Sequence, residues 1–342
     1  MKIMAAMSGG VDSTVTALLL RREGHDVIGG TALLFDGADV SAAIRQAEAL
    51  GLPHHVFDLR ETFRCSVLEP FAAIYGRGET PNPCVLCNRT VKFGALREAA
   101  LALGCDAVAT GHYARIRYDI GSGRHLLLRG VDSSKDQSYF LAGLTQAQLA
   151  GARFPLGEMT KAQVRALAAE AGLSCAEGRE SQDICFLPDG DYVAFLRQRI
   201  PLPAGDFTDP KGRVLGRHEG LPAYTLGQRR GTGVASGRRL YVVEKRPETN
   251  TVVLGDESLL YTRRTAVDDV RYGPFETLTA PLRVMARTRY RQKDAPATLI
   301  PTGNGTAVLE FDEPQRAVTP GQAAVFYDGD TVIGGGTVRS SK

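Results

Sequence analysis

One turn near the amino terminus limits what the rest of the chain can be. The apolar run Ile3-Met4-Ala5-Ala6-Met7 reads as a buried parallel strand and Val15–Arg22 as a helix, so Ser8–Ser13 is a strand-to-helix turn. Gly9 and Gly10 let the backbone pack tightly and turn its N–H groups inward. Ser8, Ser13 and Thr14 add hydroxyls, and the helix start adds positive potential. Together these are the parts of a phosphate cradle. The spacing and lysine of G-x-x-x-x-G-K-[ST] are missing, and no third glycine completes a dinucleotide fingerprint. A plain tight turn capped by Asp12 or Ser13 is the alternative. The crowding of two glycines, three hydroxyls and an acid into one turn speaks against it.

Downstream, apolar strands alternate with helical patterns. Asp26–Phe35, His55–Leu59 and Asp106–Thr110 read as strands. Ser41–Leu50, Glu61–Tyr75 and Val91–Leu103 read as helices, with a proline-marked loop over Gly76–Asn88. This order predicts an α/β domain whose parallel sheet carries helices on both faces, with ligands at the carboxyl ends of the strands. Ala114–Tyr118 and His125–Arg129 form a hairpin, and the Thr160–Gln163 capping box opens a helix to Ala171. Beyond Pro201 short β-type runs replace helices, which predicts barrel-like modules. The predicted domains are residues 1–188, 189–270 and 271–342: a nucleotide-binding α/β domain, a small central β-containing domain and a C-terminal β-barrel.

At 342 residues with a formal net charge of +3, the totals exclude little by themselves. No apolar run reaches membrane-spanning length, and Met1–Leu20 holds a turn rather than a signal peptide, so a cytoplasmic, non-membrane protein is expected. The six cysteines should then be reduced at rest. Cys65, Cys105 and Cys175 lie in apolar patterns and read as buried small hydrophobes. Cys87, in Pro81-Asn82-Pro83-Cys84-Val85-Leu86-Cys87-Asn88-Arg89, precedes a helix expected near Asn88 or Arg89. A helix start and a neighbouring arginine would lower its pKa and make it a nucleophile. For Cys84 and Cys87 the choices are a redox pair, sulfur-handling thiols, or, with Cys185, ligands of an iron–sulfur cluster. A single C-x-x-C is too little for structural zinc.

The turn Ser-Gly-Gly-Val-Asp-Ser resembles the PP-loop of the ATP pyrophosphatases, which have an adenine nucleotide α-hydrolase-like fold. The resemblance implies ATP cleaved to AMP and pyrophosphate, with Mg²⁺ beside Asp12. Further segments narrow it: Asn82-Pro83-x-x-x-Cys87-Asn88, Thr110-Gly111-His112-Tyr113-Ala114, Lys135-Asp136-Gln137-Ser138-Tyr139-Phe140-Leu141, Ser181–Phe186 and Tyr224–Arg229. In this order, over nearly the whole chain, they resemble the tRNA-specific 2-thiouridylase (MnmA/TrmU) family. The resemblance implies that Ala6, Met7, Ser8, Gly9, Gly10, Val11, Asp12 and Ser13 bind ATP phosphates, with Ala32 and Gly111 near the adenosine. It implies Cys87 as nucleophile and Cys185 as persulfide carrier. Asn82, Pro83 and Cys84 would face the target base. Lys135, Asp136, Gln137, Arg289 and Tyr290 would contact tRNA. Cys84 stands where many members carry an aspartate proposed as a base, and the segment Asp36–Asp39 is shorter than in many members.

The implied reaction is adenylation of the C2 oxygen of the wobble uridine, then sulfur transfer from a cysteine persulfide charged by a cysteine desulfurase or sulfur-relay protein. A movable segment over Gly178–Gly190 would let Cys87 and Cys185 meet. A [4Fe-4S] cluster on Cys84, Cys87 and Cys185 is the competing form of the chemistry. Arginines and lysines at 229, 230, 238, 239, 245 and 246, and again over Arg283–Lys293, interleave with Tyr224, Tyr241 and Tyr290 as an RNA-binding surface. The alternation of Arg283–Lys293 predicts basic residues on one strand face. His112 either touches nucleotide or caps a strand. A small-molecule amide ligase and a non-catalytic tRNA-binding protein are the other function classes, and the paired thiols and the intact turn weigh against them.

Overall fold

A computed structural model of the chain describes residues 1–176, 184–187 and 189–339. Much of the segment expected to move, Gly178–Gly190, and residues 181–183 of the motif before Cys185 lie outside the described residues.

Strands β1 (Lys2–Ala6), β2 (Asp26–Leu33), β3 (His54–Asp58), β4 (Ala107–Ala109) and β7 (Ala152–Arg153) make a five-stranded sheet ordered β3-β2-β1-β4-β7. Every pairing in it is parallel. Its central strands are apolar on both sides because helices cover both faces: Ile3, Met4, Ala5 and Val108 are fully buried. Helix α1 (Val11–Arg22) packs Val15 and Ala17 into the same core as Ala43 and Ala47 of helix α2 (Ser41–Ala49) and Val164 and Ala168 of the helix Lys161–Glu170. The chain leaves β1 towards β2 on one side and meets β4 on the other. The cradle after β1 and Gly111 after β4 therefore flank the point where strand order reverses, the usual ligand site of such sheets.

The loop expected over Gly76–Asn88 is partly helical. Asn82 caps a helix over Pro83–Cys87, its Oδ1 accepting from the Val85 N–H at 3.4 Å. Proline at the first helical position is well placed, since its missing N–H would be unpaired there. That helix runs straight into a π-helical segment, Asn88–Ala95, and then into Leu96–Ala102.

The central sheet is ordered β10-β11-β8-β9, from β8 (Gly205–Thr208), β9 (Val214–His218), β10 (Tyr241–Arg246) and β11 (Thr251–Gly255). The C-terminal strands are β12 (Tyr261–Tyr272), β13 (Leu282–Arg287), β14 (Ala295–Gly303), β15 (Thr306–Arg316), β16 (Ala323–Asp328) and β17 (Thr331–Val338). They follow the order β12-β15-β14-β13-β16-β17, and a further β12–β17 pairing closes the barrel, removing its edges. Strand β12 runs through the boundary expected at 270/271, so the barrel begins at Tyr261. The hairpin β5 (Ala114–Asp119) and β6 (Arg124–Arg129) leaves the first domain and joins the barrel sheet beside β17. The barrel also grips the approach to the Pro83–Cys87 helix, as Gln322 Nε2 donates to the carbonyls of Thr80 and Pro81 at 2.9 and 3.0 Å.

Candidate active site

The cradle is built as its residue types require. Ala6 ends β1, and the Met7 N–H donates to the Gly30 carbonyl at 2.8 Å, continuing the sheet. Gly9 takes φ +82°, and a Cβ there would lie 2.6 Å from the Ala42 Cβ and 2.7 Å from the Ala42 carbonyl carbon. The turn is thus pressed against α2, and glycine is required on both steric and conformational grounds. Gly10 is exposed and caps α1, and a Cβ added to it would meet only Ser8 Oγ, at 3.7 Å. The first helical bond, Thr14 N–H to Gly10 carbonyl at 3.1 Å, leaves the earlier N–H groups pointing out of the helix end. Ser13 Oγ accepts from the Ser8 N–H at 3.1 Å and donates to the Gly10 carbonyl at 3.0 Å, locking the loop. Val11 is buried beneath it. Gly111 abuts the same turn: a Cβ would meet the Asp12 carbonyl carbon at 2.9 Å and the Ser13 nitrogen at 3.0 Å. Ala32 lies two residues past the last β1–β2 pair, Ala6 with Gly30, at the same sheet edge.

Asp12 carries an arrangement that the motif alone does not reveal. Lys161 Nζ sits 2.7 Å from both carboxylate oxygens, and the Tyr113 hydroxyl donates to Oδ1 at 2.7 Å. The sequence marks Lys161 only as part of a capping box. That box is present, with Thr160 and Gln163 bonded reciprocally, and it is what aims the first turn of the helix at the cradle.

The thiols occupy a second cluster. Cys87 is buried beside Phe63, Val67, Phe71 and Val91, and Phe186 enters the same cluster, setting its neighbour Cys185 against this region. Phe186 makes edge contacts with Phe63 and Phe71 at 5.7 and 5.3 Å between ring centroids. Cys84 and Cys185 keep exposed surface. Burial pushes all three thiols up, Cys87 to about 11, while the Lys92 ammonium pulls each of them down. The expected low pKa of Cys87 is therefore corrected. No helix starts at Asn88, because Cys87 lies inside a continuous helical run, and Arg89 is drawn away to Asp269 at 2.5 Å. Lys92, which no sequence motif singles out, is the cation that acts on the thiols instead. Of the three cysteines expected to be buried, Cys105 and Cys175 are, but Cys65 is exposed and donates to Glu61 Oε1 at 3.3 Å.

His112 takes the strand-capping role. It is buried, its Nδ1 lies 2.7 Å from Thr110 Oγ1, and its ring packs on Phe93 and Phe154. Burial holds its pKa well below the ordinary value, with Lys92 adding to the effect. Lys92 thus lies within electrostatic range of the thiols and of His112, whose neighbour Gly111 abuts the cradle.

The residues expected to meet RNA divide. Asp136 is 5% exposed, and its carboxylate accepts from Gly130 N–H, Ser138, Arg129 and Arg287. It organises the loop from within; Lys135 and Gln137 are partly exposed, with the Gln137 Oε1 accepting the Tyr113 N–H at 3.1 Å. Arg289 reaches the Leu226 carbonyl at 3.0 Å and Thr319 Oγ1. The Tyr290 ring lies 4.4 Å from that of Phe140. Pro83 is buried, whereas Asn82 and Cys84 retain accessible surface. The basic residues of Arg283–Lys293 do not form one open strand face. Strand β13 ends at Arg287, and Arg287 is 9% exposed, bonded to Asp136 and the Tyr327 hydroxyl, while Arg283 pairs with Asp312 in solvent. The exposed basic residues of the central domain gather better: Arg229, Arg238 and Arg239 line one pocket of about 350 Å³. Lys245, expected among them, is turned inward to the Tyr224 carbonyl at 2.9 Å, and burial brings its pKa down to about 8.

Asp12 with the cradle's N–H groups fits Mg²⁺–ATP, since magnesium is commonly held by one or two carboxylates plus substrate phosphates. Mg²⁺ there would neutralise phosphate charge. For a cluster on Cys84, Cys87 and Cys185 the structure offers no support, since among the described residues no three His, Cys, Asp or Glu side chains gather as a metal site. Also among the described residues, no helix is long and apolar enough to cross a membrane.

Three family descriptions match successive parts of the chain. Residues 1–189 match the tRNA methyl transferase HUP domain, 193–256 the tRNA methyl transferase PRC-barrel domain and 263–338 the aminomethyltransferase beta-barrel domain. A tRNA-specific 2-thiouridylase MnmA from Pelotomaculum thermopropionicum is 46% identical, covering 99% of this chain and 98% of that protein. Proteins of the same description from Heliobacterium modesticaldum and Moorella thermoacetica are each 48% identical over 98% of this chain, covering 92% and 99% of their own lengths. With similarity of this depth along its full length, the chain belongs to the tRNA-specific 2-thiouridylase family.

Proposed function

We propose that this chain is an ATP-dependent tRNA-uridine 2-sulfurtransferase. The observation that carries the reading is the adjacency of two chemistries: a phosphate cradle and a thiol cluster linked through Gly111, His112 and Lys92. In the reaction, the C2 oxygen of a wobble uridine attacks the α-phosphorus of ATP and pyrophosphate leaves. The cradle's N–H groups and helix dipole stabilise the departing charge. Asp12 would hold Mg²⁺ there, which would supply Lewis-acid stabilisation of the phosphate charge.

Sulfur then enters from Cys185 carrying a persulfide, charged by a cysteine desulfurase or relay protein. Its terminal sulfur attacks C2 and AMP leaves. Cys87 next attacks the inner sulfur, forming a Cys87–Cys185 disulfide, and the sulfur bonded to C2 leaves as the thiocarbonyl. The two thiols supply the electron pair, and an external dithiol restores them. The Lys92 ammonium opposes the upward push of burial and so lowers the cost of ionising each thiol. Asn82, Pro83 and Cys84 face the base, while Lys135, Gln137, Arg289, Tyr290 and the arginines of the central domain hold the RNA. Reduced thiols in the working state suit a cytoplasmic enzyme.

The test is pyrophosphate release and nucleoside analysis with unmodified tRNA, ATP and a persulfide donor. Pyrophosphate released only with tRNA, together with 2-thiouridine, supports the reading. Pyrophosphate release driven by a small amine and acid, or methylation of the tRNA from a methyl donor without thiolation, overturns it.

A further inference from the structure

The proposed reaction leaves a Cys87–Cys185 disulfide, and its two sulfurs are unequally reachable. Cys87 is 8% exposed and packs with Phe63, Val67 and Phe71, which closes its sulfur to a reductant from solution. Cys84 is the one exposed residue of the helix Pro83–Cys87, in which Val85 packs towards the cluster of Tyr139 and Ala142 and Leu86 towards that of Cys87. Residues three apart share a helix face, and their α-carbons lie about 5 Å apart, within the roughly 4.4–6.8 Å that a disulfide spans. Cys84 and Cys87 each also lie within electrostatic range of Cys185. The helix is held at its entry by the Asn82 cap and by Gln322, and Phe186 fixes the chain beside Cys185. Three thiols thus meet at one place, two of them on a single helical turn, and the sulfur transfer itself consumes only Cys87 and Cys185.

We propose that Cys84 is the resolving thiol of this site, passing the catalytic disulfide from Cys185 to a Cys84–Cys87 pair. The Cys84 thiolate attacks the Cys87 sulfur, the bond from Cys87 to Cys185 breaks, and its electron pair leaves on Cys185. One proton is lost from Cys84 and one is gained by Cys185, so the exchange needs no oxidant. Cys185 is then a free thiol again, ready for the next persulfide while the oxidised pair waits on the helix. A protein dithiol of the thioredoxin type attacks the exposed Cys84 sulfur, and its second thiol displaces Cys84. The dithiol is oxidised to a disulfide as Cys84 and Cys87 are reduced. Recharging and reduction therefore use different cysteines, Cys185 and Cys84, and do not compete for one sulfur. This inference rests on the persulfide form of the proposed reaction.

The experiment runs a single turnover of the wild-type chain with tRNA, ATP and a persulfide donor but no reductant, then quenches in acid, alkylates and digests with trypsin. Cys84 and Cys87 share the tryptic peptide 78–89, whereas Cys185 lies in 180–197, so mass separates an internal bond from a cross-link. The expected wild-type product is peptide 78–89 with an internal disulfide and Cys185 alkylated. Cys84→Ser loses that internal bond and keeps the Cys87–Cys185 cross-link. Under multiple turnover with a µM protein dithiol, Cys84→Ser slows at least about tenfold, because a neighbouring thiol acts at an effective concentration on the order of mM. Excess dithiothreitol restores its rate. A wild-type product that is only the Cys87–Cys185 cross-link, with Cys84 alkylated, overturns the proposal, and this mapping decides even if the serine variant does not fold. A loss in folded Cys84→Ser that excess dithiothreitol leaves in place overturns it as well. Formation of 2-thiouridine with no disulfide among the three, on a chain that carries iron and sulfide, would instead overturn the persulfide reading and the relay with it.

Discussion

The two glycines of the cradle are adjacent, yet the structure assigns them different work, and alanine at each position separates fold from binding. Gly9 has φ +82°, where an L-residue costs about 1–2 kcal/mol. Its added Cβ would also lie 2.6 Å from the Ala42 Cβ and 2.7–2.8 Å from the backbone of α2. Backbone cannot swing aside as a side-chain tip can, so overpacking adds about 1–3 kcal/mol. Gly9→Ala should therefore cost roughly 2–5 kcal/mol, or about 4–20 °C for a domain of this size. Gly10 has φ −78° and ψ 162°, open to any residue, and its Cβ would meet only Ser8 Oγ at 3.7 Å. Gly10→Ala should change stability by no more than about 0.5 kcal/mol. It nevertheless puts a methyl group in the space left for phosphate, and ATP affinity should fall at least about tenfold. Urea melts of the first domain's signal, paired with ATP titration, measure both. Equal stability losses, or unchanged ATP affinity in Gly10→Ala, would refute the division of roles.

Other perturbations have equally definite outcomes. Arg287→Met strips Asp136 of a buried partner 3.0 Å away and should destabilise the barrel junction by about 3–5 kcal/mol in urea melts. A junction as stable as wild type would show that Arg129 suffices. Burial pushes the Cys87 thiol up to about 11, so its alkylation rate, followed by peptide mass spectrometry, should keep climbing from pH 8 to 10 without the plateau of a free thiol near 8.5. Because the folded value exceeds that of a free thiol, the stability linked to this thiol is intact below the free-thiol pKa and lost as pH rises through about 11. Lys92→Gln removes the cation that pulls the thiols down, so alkylation of Cys84, Cys87 and Cys185 at pH 8 should slow together. Slowing confined to one of them would mean that Lys92 does not serve the cluster.

The first domain is legible because its central strands are buried on both faces, and buried strands write themselves as unbroken apolar runs such as Ile3–Met7. The cradle is legible too, since phosphate binding needs glycine and hydroxyls in consecutive positions. What stays hidden depends on residues distant in sequence. Lys161 and Asp12 are 149 positions apart, and nothing around Lys161 beyond its capping box marks it. The sequence misleads about the surroundings of Cys87 because Pro81 and Pro83 look like loop punctuation, although Pro83 starts a helix. Strand β12 is hard to read because it breaks its own alternation: its register shifts between Thr262 and Arg264 and again between Asp268 and Arg271, with Asp269 at φ +49°. Arg287 shares the outward parity of Arg283 and Met285, but the first domain covers that end of β13, and parity cannot foresee a neighbouring domain.

That covering ties the loop proposed to meet RNA to the cradle proposed to hold ATP. The loop bearing Lys135 and Gln137 is pinned from within by Asp136, which bonds to barrel residue Arg287. From the same loop, Gln137 clamps Tyr113 at both backbone groups: its Oε1 accepts the Tyr113 N–H at 3.1 Å, and its own N–H donates to the Tyr113 carbonyl at 2.9 Å. The side chain of Tyr113 in turn holds Asp12. On the proposed reading, in which Gln137 contacts RNA, a load on Gln137 reaches the carboxylate of the cradle through one residue. Gln137→Ala keeps the backbone bond and deletes the side-chain half of the clamp. It should leave ATP affinity without tRNA unchanged while reducing the factor by which tRNA accelerates pyrophosphate release at saturating tRNA. A variant that only raises the tRNA concentration needed, with the same maximal acceleration, would reduce Gln137 to an RNA contact and refute the coupling.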